Sequence, residues 1–170
     1  MQGLFSGIGH PVVGPDHLVF TLVVGVLATR FKPGWVIPSA FLVAALAGTG
    51  LHLMAFDLPA PEFMISLSVL IFGVLAVYGN RLNIAVVAML AAIAGSFHGY
   101  AYGEAVVGAE MTPLLSYLIG FTAVQGAIAA SAFWVIQRGI NPGQLAQRLR
   151  YVGLVVCGAG GAFLSGVVLG

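Results

Sequence analysis

Residues 34–55 read GWVIPSAFLVAALAGTGLHLMA, with no Asp, Glu, Lys or Arg among them, and the pattern recurs along the chain. A helix of about 20 apolar residues spans the hydrocarbon core of a bilayer. Six such segments can be drawn, at about 11–30, 34–55, 62–79, 82–103, 113–137 and 147–169. Turn-forming residues punctuate them: Lys32-Pro33-Gly34, Leu58-Pro59-Ala60-Pro61, Gly79-Asn80-Arg81, Thr112-Pro113 and Asn141-Pro142-Gly143. Lipid offers no hydrogen bonds, so spans of this length must satisfy their backbone internally, as helices. The expectation is an all-α integral membrane protein. Residues 1–170 form a single bundle of six transmembrane helices, with no hydrophilic linker to divide it.

Composition narrows the function. The chain is 60% hydrophobic and 6% charged, against about 25% charged residues in a soluble domain. Six spans use up its length, leaving no soluble catalytic or ATP-binding domain, and no GxxxxGK[ST] phosphate loop is present. The net charge of +1, without a basic run, gives nucleic acid nothing to bind. Cys157 is the single cysteine, in YVGLVVCGAGGAFL, which excludes an internal disulfide or a CxxC site and suits a small packing residue.

The basic residues set the expected orientation. Arg30 and Lys32 follow the first span, Arg81 the third, and Arg138, Arg148 and Arg150 the fifth. Alternate loops thus hold every cation, and the positive-inside rule assigns those loops to the cytoplasm. The remaining loops hold Asp57 and Glu62, then Glu104 and Glu110. Both termini are expected outside. The residues before His10 carry no charged side chain and show no signal-peptide pattern, so tail translocation and an already removed signal both stay open.

This topology gathers four histidines toward one face. His10, Asp16 and His17 open the first span in GHPVVGPDHLVF; His52 ends the second in GTGLHLMAFDLP; His98 ends the fourth in GSFHGYAYGE. Ionisable groups in a membrane bundle are costly and mark function. Imidazole with carboxylate suits first-row dications such as Ni²⁺, Co²⁺ and Zn²⁺. Pro15 fits a first helical turn and Pro11 breaks continuity, so Asp16 and His17 are expected to start the first helix. His10 would fold back from a bent or re-entrant segment before it. His10, Asp16, His17 and His98 are the candidate metal ligands.

Gly95, Gly99 and Gly103 form a small-residue stripe that lets a neighbouring helix approach closely. His98 lies at its edge, and Tyr102, one turn on, is placed to orient a ring or ligand; a buried histidine bonded to a backbone carbonyl is the other reading of His98. For His52 three readings stand together: ligand, residue on the way in, or interfacial histidine. Asp57, Glu104 and Glu110 are expected to attract cations at the mouth, with Glu104 nearest the site, unless they are simply solvated loop charges. Gln125, mid-span, is expected to line a path. The methionines show no MxxM cluster, which disfavours Cu(I).

GHPVVGPDHLVF and GSFHGYAYGE together resemble the HupE/UreJ family of hydrogenase and urease accessory membrane proteins. Its signatures are close to HPxxGxDH in the first span and FHGxAxG in the fourth, and the six-span plan covers essentially the whole chain. The resemblance implies a secondary nickel permease, in some members one handling cobalt, and carries essential roles onto His10, Asp16 and His17, and onto His98 in FHG. Many members have histidine where Tyr102 stands, and often one in the fifth span near Gln125. The tyrosine form looks like a cyanobacterial branch, in which Co²⁺ supply for cobalamin is the alternative to Ni²⁺.

The expected function is therefore uptake of a divalent transition metal, by a multi-pass protein of a bacterial cell (cytoplasmic or inner) membrane. The expected partners are that ion and the lipid bilayer, with no nucleic acid, no permanently bound cofactor and self-association left open. A membrane enzyme is not expected. A rhomboid-type protease needs a GxSG serine and a later histidine, which Ser96 in GSFHG and the last span do not supply. A non-transporting metal- or haem-binding accessory protein is the remaining alternative. Two histidines can ligate haem axially, but a site beside carboxylates suits a hydrated dication better.

Overall fold

The computed structural model describes Gly7, Gly9 and residues 13–78, 82–104 and 111–170. Among these residues the helices are α1 (Pro15–Ala28), α2 (Val36–Leu53), α3 (Pro61–Tyr78), α4 (Ile84–Glu104), α5 (Met111–Gly139) and α6 (Leu145–Leu169), with a 3-10 turn at Pro142–Gln144 and no strand. Five of the six are long and apolar enough to cross a membrane. The fold is that of a helical membrane protein.

The helix α1 differs from the rest. Its 14 residues reach about 21 Å at 1.5 Å per residue, short of the ~30 Å hydrocarbon core. Pro15 sets its start: the missing N–H falls where no helical acceptor exists, and Gly14 ahead of it is extended (φ −79°, ψ 105°). The Asp16 carboxylate accepts the His17 backbone N–H at 2.9 Å, satisfying one orphan donor of the first turn. The bent or re-entrant segment expected before α1, with His10, lies outside the described residues.

Two helix pairs flank α1, and small residues decide both. A Cβ on Gly99 of α4 would collide with the backbone of Ala45 in α2, so only glycine permits this approach. Thr49 Oγ1 then bonds across the seam to Gly99 O at 2.7 Å. In the α3–α6 pair, a Cβ on Gly73 would meet the backbone nitrogen and Sγ of Cys157 at 2.8 Å. Lipid tails are as apolar as leucine, so such close packing and interhelical bonding hold the pairs together, not the removal of apolar surface from water. Phe20, Val24 and Leu27 of α1 fill the space between, against Phe41 of α2, Phe72 of α3 and Val87 of α4.

Overpacking a tight contact costs about 1–3 kcal/mol. Gly99→Leu should therefore lower the unfolding temperature of the detergent-solubilised protein clearly. Gly50→Ala, with nothing within 4 Å of its added Cβ, should be neutral or stabilise by up to about 1 kcal/mol. Equal melting temperatures for the two variants would refute the glycine-dependent seam.

Candidate metal centre

Asp16 and His17 leave the first turn of α1, and His98 meets them from α4. The Nδ1 atoms of His17 and His98 lie 2.8 Å apart, with His17 6% and His98 0% exposed. His98 Nε2 contacts Ser68 Oγ of α3 at 3.1 Å. Both nitrogens of His98 therefore have protein partners. Its ring is stacked on Phe20 (centroids 4.4 Å apart) and edge-on to Phe41 at 5.9 Å. One imidazole thus ties together α1, α2, α3 and α4.

Tyr102 braces the other ring. Its phenol lies against His17 with centroids 4.5 Å apart, and its hydroxyl accepts Gln125 Nε2 at 2.8 Å. Tyr117 donates to the Tyr102 backbone carbonyl at 3.2 Å. Gln125 is fully buried, and its Oε1 has no hydrogen-bond partner among the described residues. Tyr102 therefore supports His17, where the sequence suggested that it would sit over His98.

A cavity of about 780 Å³ opens above this pair, lined among others by Asp16, His17, Glu62, Ser66, Ala101 and Glu104. Three carboxylates and one imidazole thus share one mouth. Low-dielectric walls around like-signed charge focus the field and raise the local concentration of cations. Asp57 takes no part in that lining: its carboxylate accepts the Tyr100 hydroxyl at 3.3 Å, and His52 packs edge-on against Tyr100 at 4.4 Å. His52, Asp57 and Tyr100 form a separate cluster on the α2 side of α4. His10 and Glu110 lie outside the described residues. Among the described residues no three His, Cys, Asp or Glu side chains gather closely enough to hold a metal.

Glu62 and Ser68 were not among the candidate site residues. Glu62 sits one residue past Pro61, where α3 begins. Ser66 and Ser68 stand out as the hydroxyls of the otherwise apolar MISLSVLIF, and that contrast was the signal for a polar face on the third span.

The helices and this half-buried polar centre define a multi-pass helical membrane protein. The chain belongs to the HupE / UreJ protein family, whose model matches residues 1–163. It is similar to Protein HupE of Rhizobium leguminosarum bv. viciae, 32% identical over 172 residues, which cover 99% of this chain and 84% of that relative. No solved structure matches.

The Tyr102–Gln125 bond has a measurable worth. Tyr102→Phe leaves the Gln125 amide without its acceptor and should cost about 1 kcal/mol in reversible unfolding. Adding Gln125→Leu removes the stranded amide, so the double variant should lose less than the two single losses combined. Strict additivity would show that the pair is not coupled.

Proposed function

We propose that the chain is a secondary permease for uptake of a divalent transition metal, Ni²⁺ foremost and Co²⁺ as the alternative. The observation that carries this reading is a buried imidazole pair at the foot of a carboxylate-lined cavity. Hydrated cations collect at Asp16, Glu62 and Glu104. The ion sheds part of its water at a site built from His10, Asp16 and His17 beside the buried His98, with Asp16 and His17 lining the cavity. Imidazole and carboxylate favour Ni²⁺ and Co²⁺ over the hard dications Mg²⁺ and Ca²⁺, which prefer oxygen alone.

Orientation by the positive-inside rule puts the cavity outside, so an inside-negative potential favours inward movement of a dication by about 4.6 kcal/mol per 100 mV. Axial haem ligation by His17 and His98 fits the site poorly. Iron would have to lie between the two rings, and a 2.8 Å separation leaves no room for it. Family membership speaks for an accessory membrane protein and against a catalytic one.

Radiolabelled Ni²⁺ and Co²⁺ uptake in cells tests the reading. His17→Ala and Asp16→Ala should each reduce accumulation at least by the roughly 10- to 100-fold that loss of an outer-shell partner costs a metal site. Unchanged accumulation of both metals would sink it. Metal binding requires neutral imidazole, so uptake should fall as the medium is acidified and protons compete for the ligand nitrogens.

The carboxylates at the mouth have a distinct signature. Glu62→Gln combined with Glu104→Gln should raise the half-saturating metal concentration several-fold with little change in maximal rate. High ionic strength should shrink the difference, since screening removes the advantage of the charged form. A drop in maximal rate alone would place these residues in translocation and not in capture.

A further inference from the structure

Ser68 lies in α3, 7% exposed. Its Oγ is 2.6 Å from the carbonyl oxygen of Ile65, one turn back, and 3.1 Å from His98 Nε2. A hydroxyl has one proton, and the carbonyl has none to give. The Ser68 proton therefore goes to Ile65, and Ser68 has only lone pairs to offer His98. His98 Nε2 must carry the N–H of that contact.

The consequence passes along the chain of contacts. A neutral imidazole has one N–H and one lone pair, so His98 Nδ1 is the acceptor nitrogen. His17 Nδ1, 2.8 Å away, is then the donor, and the lone pair of the His17 ring is on Nε2. One carbonyl in α3 thus sets the tautomer of a histidine in α1 through two side chains.

We propose that Ser68 and His98 are positioning residues: they hold His17 in its Nδ1–H tautomer, aiming Nε2 as the ring nitrogen that binds the transported dication. This rests on the permease reading above. A metal-bound histidine is commonly fixed through its second ring nitrogen, by a carboxylate, a carbonyl or water; here another imidazole fills that place. His98 acts through His17 in this arrangement. Direct ligation by His98 would require breaking its contact with His17 or its contact with Ser68.

The tautomer is directly readable. Protein labelled with ¹⁵N-histidine, metal-free at pH 8 in nanodiscs, gives ¹⁵N–¹H spectra that report which ring nitrogen carries the proton, with His17 assigned by its loss in His17→Gln. Wild type should show His17 protonated on Nδ1. Ser68→Ala frees the tautomer of His98 and should turn His17 into a mixture, with Ni²⁺ affinity falling about tenfold, the lower end of an outer-shell loss. Ser68→Thr keeps the hydroxyl, with a small apolar cavity of about 50 Å³ beside it for the methyl group, and should restore the wild-type spectrum.

An Nε2–H His17 in wild type overturns the relay, and so does an unchanged His17 spectrum in Ser68→Ala. The wild-type spectrum alone decides if the alanine variant fails to fold. A protein with the expected tautomers that binds neither Ni²⁺ nor Co²⁺ supports the relay and refutes the permease reading. Ni²⁺ binding with the opposite tautomer does the reverse.

Discussion

Two imidazoles inside a membrane bundle must each find hydrogen-bond partners, because lipid supplies none and an unsatisfied polar group there costs several kcal/mol. His17 and His98 meet that demand largely with one another, at 2.8 Å. The contact links the short helix α1 to α4, and Ser68 extends it to α3. Shift α1 by one residue and His17 turns by about 100°, away from its partner. The register of α1 is therefore tied to a polar contact as well as to apolar packing, and Pro15, which starts the helix, fixes where that register begins.

Helix pairing makes the contact geometrically available. Because α2 and α4 touch backbone to backbone at Gly99, the wall of α4 facing away from α2 is free to meet α1 and α3. His98 reaches toward those helices, and Ala101 and Glu104, on successive turns beyond it, line the cavity. Tyr100, about 100° around the helix from Ala101, falls on the α2 side and takes Asp57 and His52 with it. A rotation of one residue along α4 thus separates a cavity wall from an unrelated aromatic cluster.

That rotation explains what was legible in the sequence. Long uncharged runs broken by Pro, Gly and charge revealed a helical membrane protein, because span length in lipid is a strict requirement. Two motifs likewise revealed the family. Which side of each helix faces the interior was much harder to read. In lipid both faces are apolar, so periodicity separates them poorly: Val43, Ile119 and Val155 are exposed while Phe41, Phe121 and Val156 are buried. Asp57 and Glu62 lie close in sequence and share one sign, yet only Glu62, in the first turn of α3, lines the cavity. Nothing local distinguishes them; the difference comes from where α2 ends against α4 and where Pro61 starts α3. Ser68 escaped notice for a related reason, since one hydroxyl gains meaning only when its partner is known to come from another helix.

Among the described residues, the lining of the cavity reaches no deeper along α1 than His17. Below His98, Phe20, Phe41 and Phe72 close the interior, with ring centroids 5.2 Å apart for Phe20–Phe41 and 4.8 Å for Phe20–Phe72, and each is at most 1% exposed. A separate cavity at the opposite end is lined by Arg30 and Leu149, where Arg30 donates to Ala76 O at 2.7 Å. Passage of an ion from one end to the other would have to part this aromatic layer. The glycine-tight α2–α4 and α3–α6 seams resist separation, because their contacts are backbone against backbone and vanish with small displacements. Phe20 rides on α1, which side chains and the imidazole contact hold between those pairs, and which is seated backbone against backbone on α5, where a Cβ on Gly25 would collide with Ala129. Because of the Gly25 contact, a displacement of Phe20 with α1 would take α5 along with it. It would also disturb the His17–His98 contact, so the aromatic layer and the imidazole pair are coupled through one short helix.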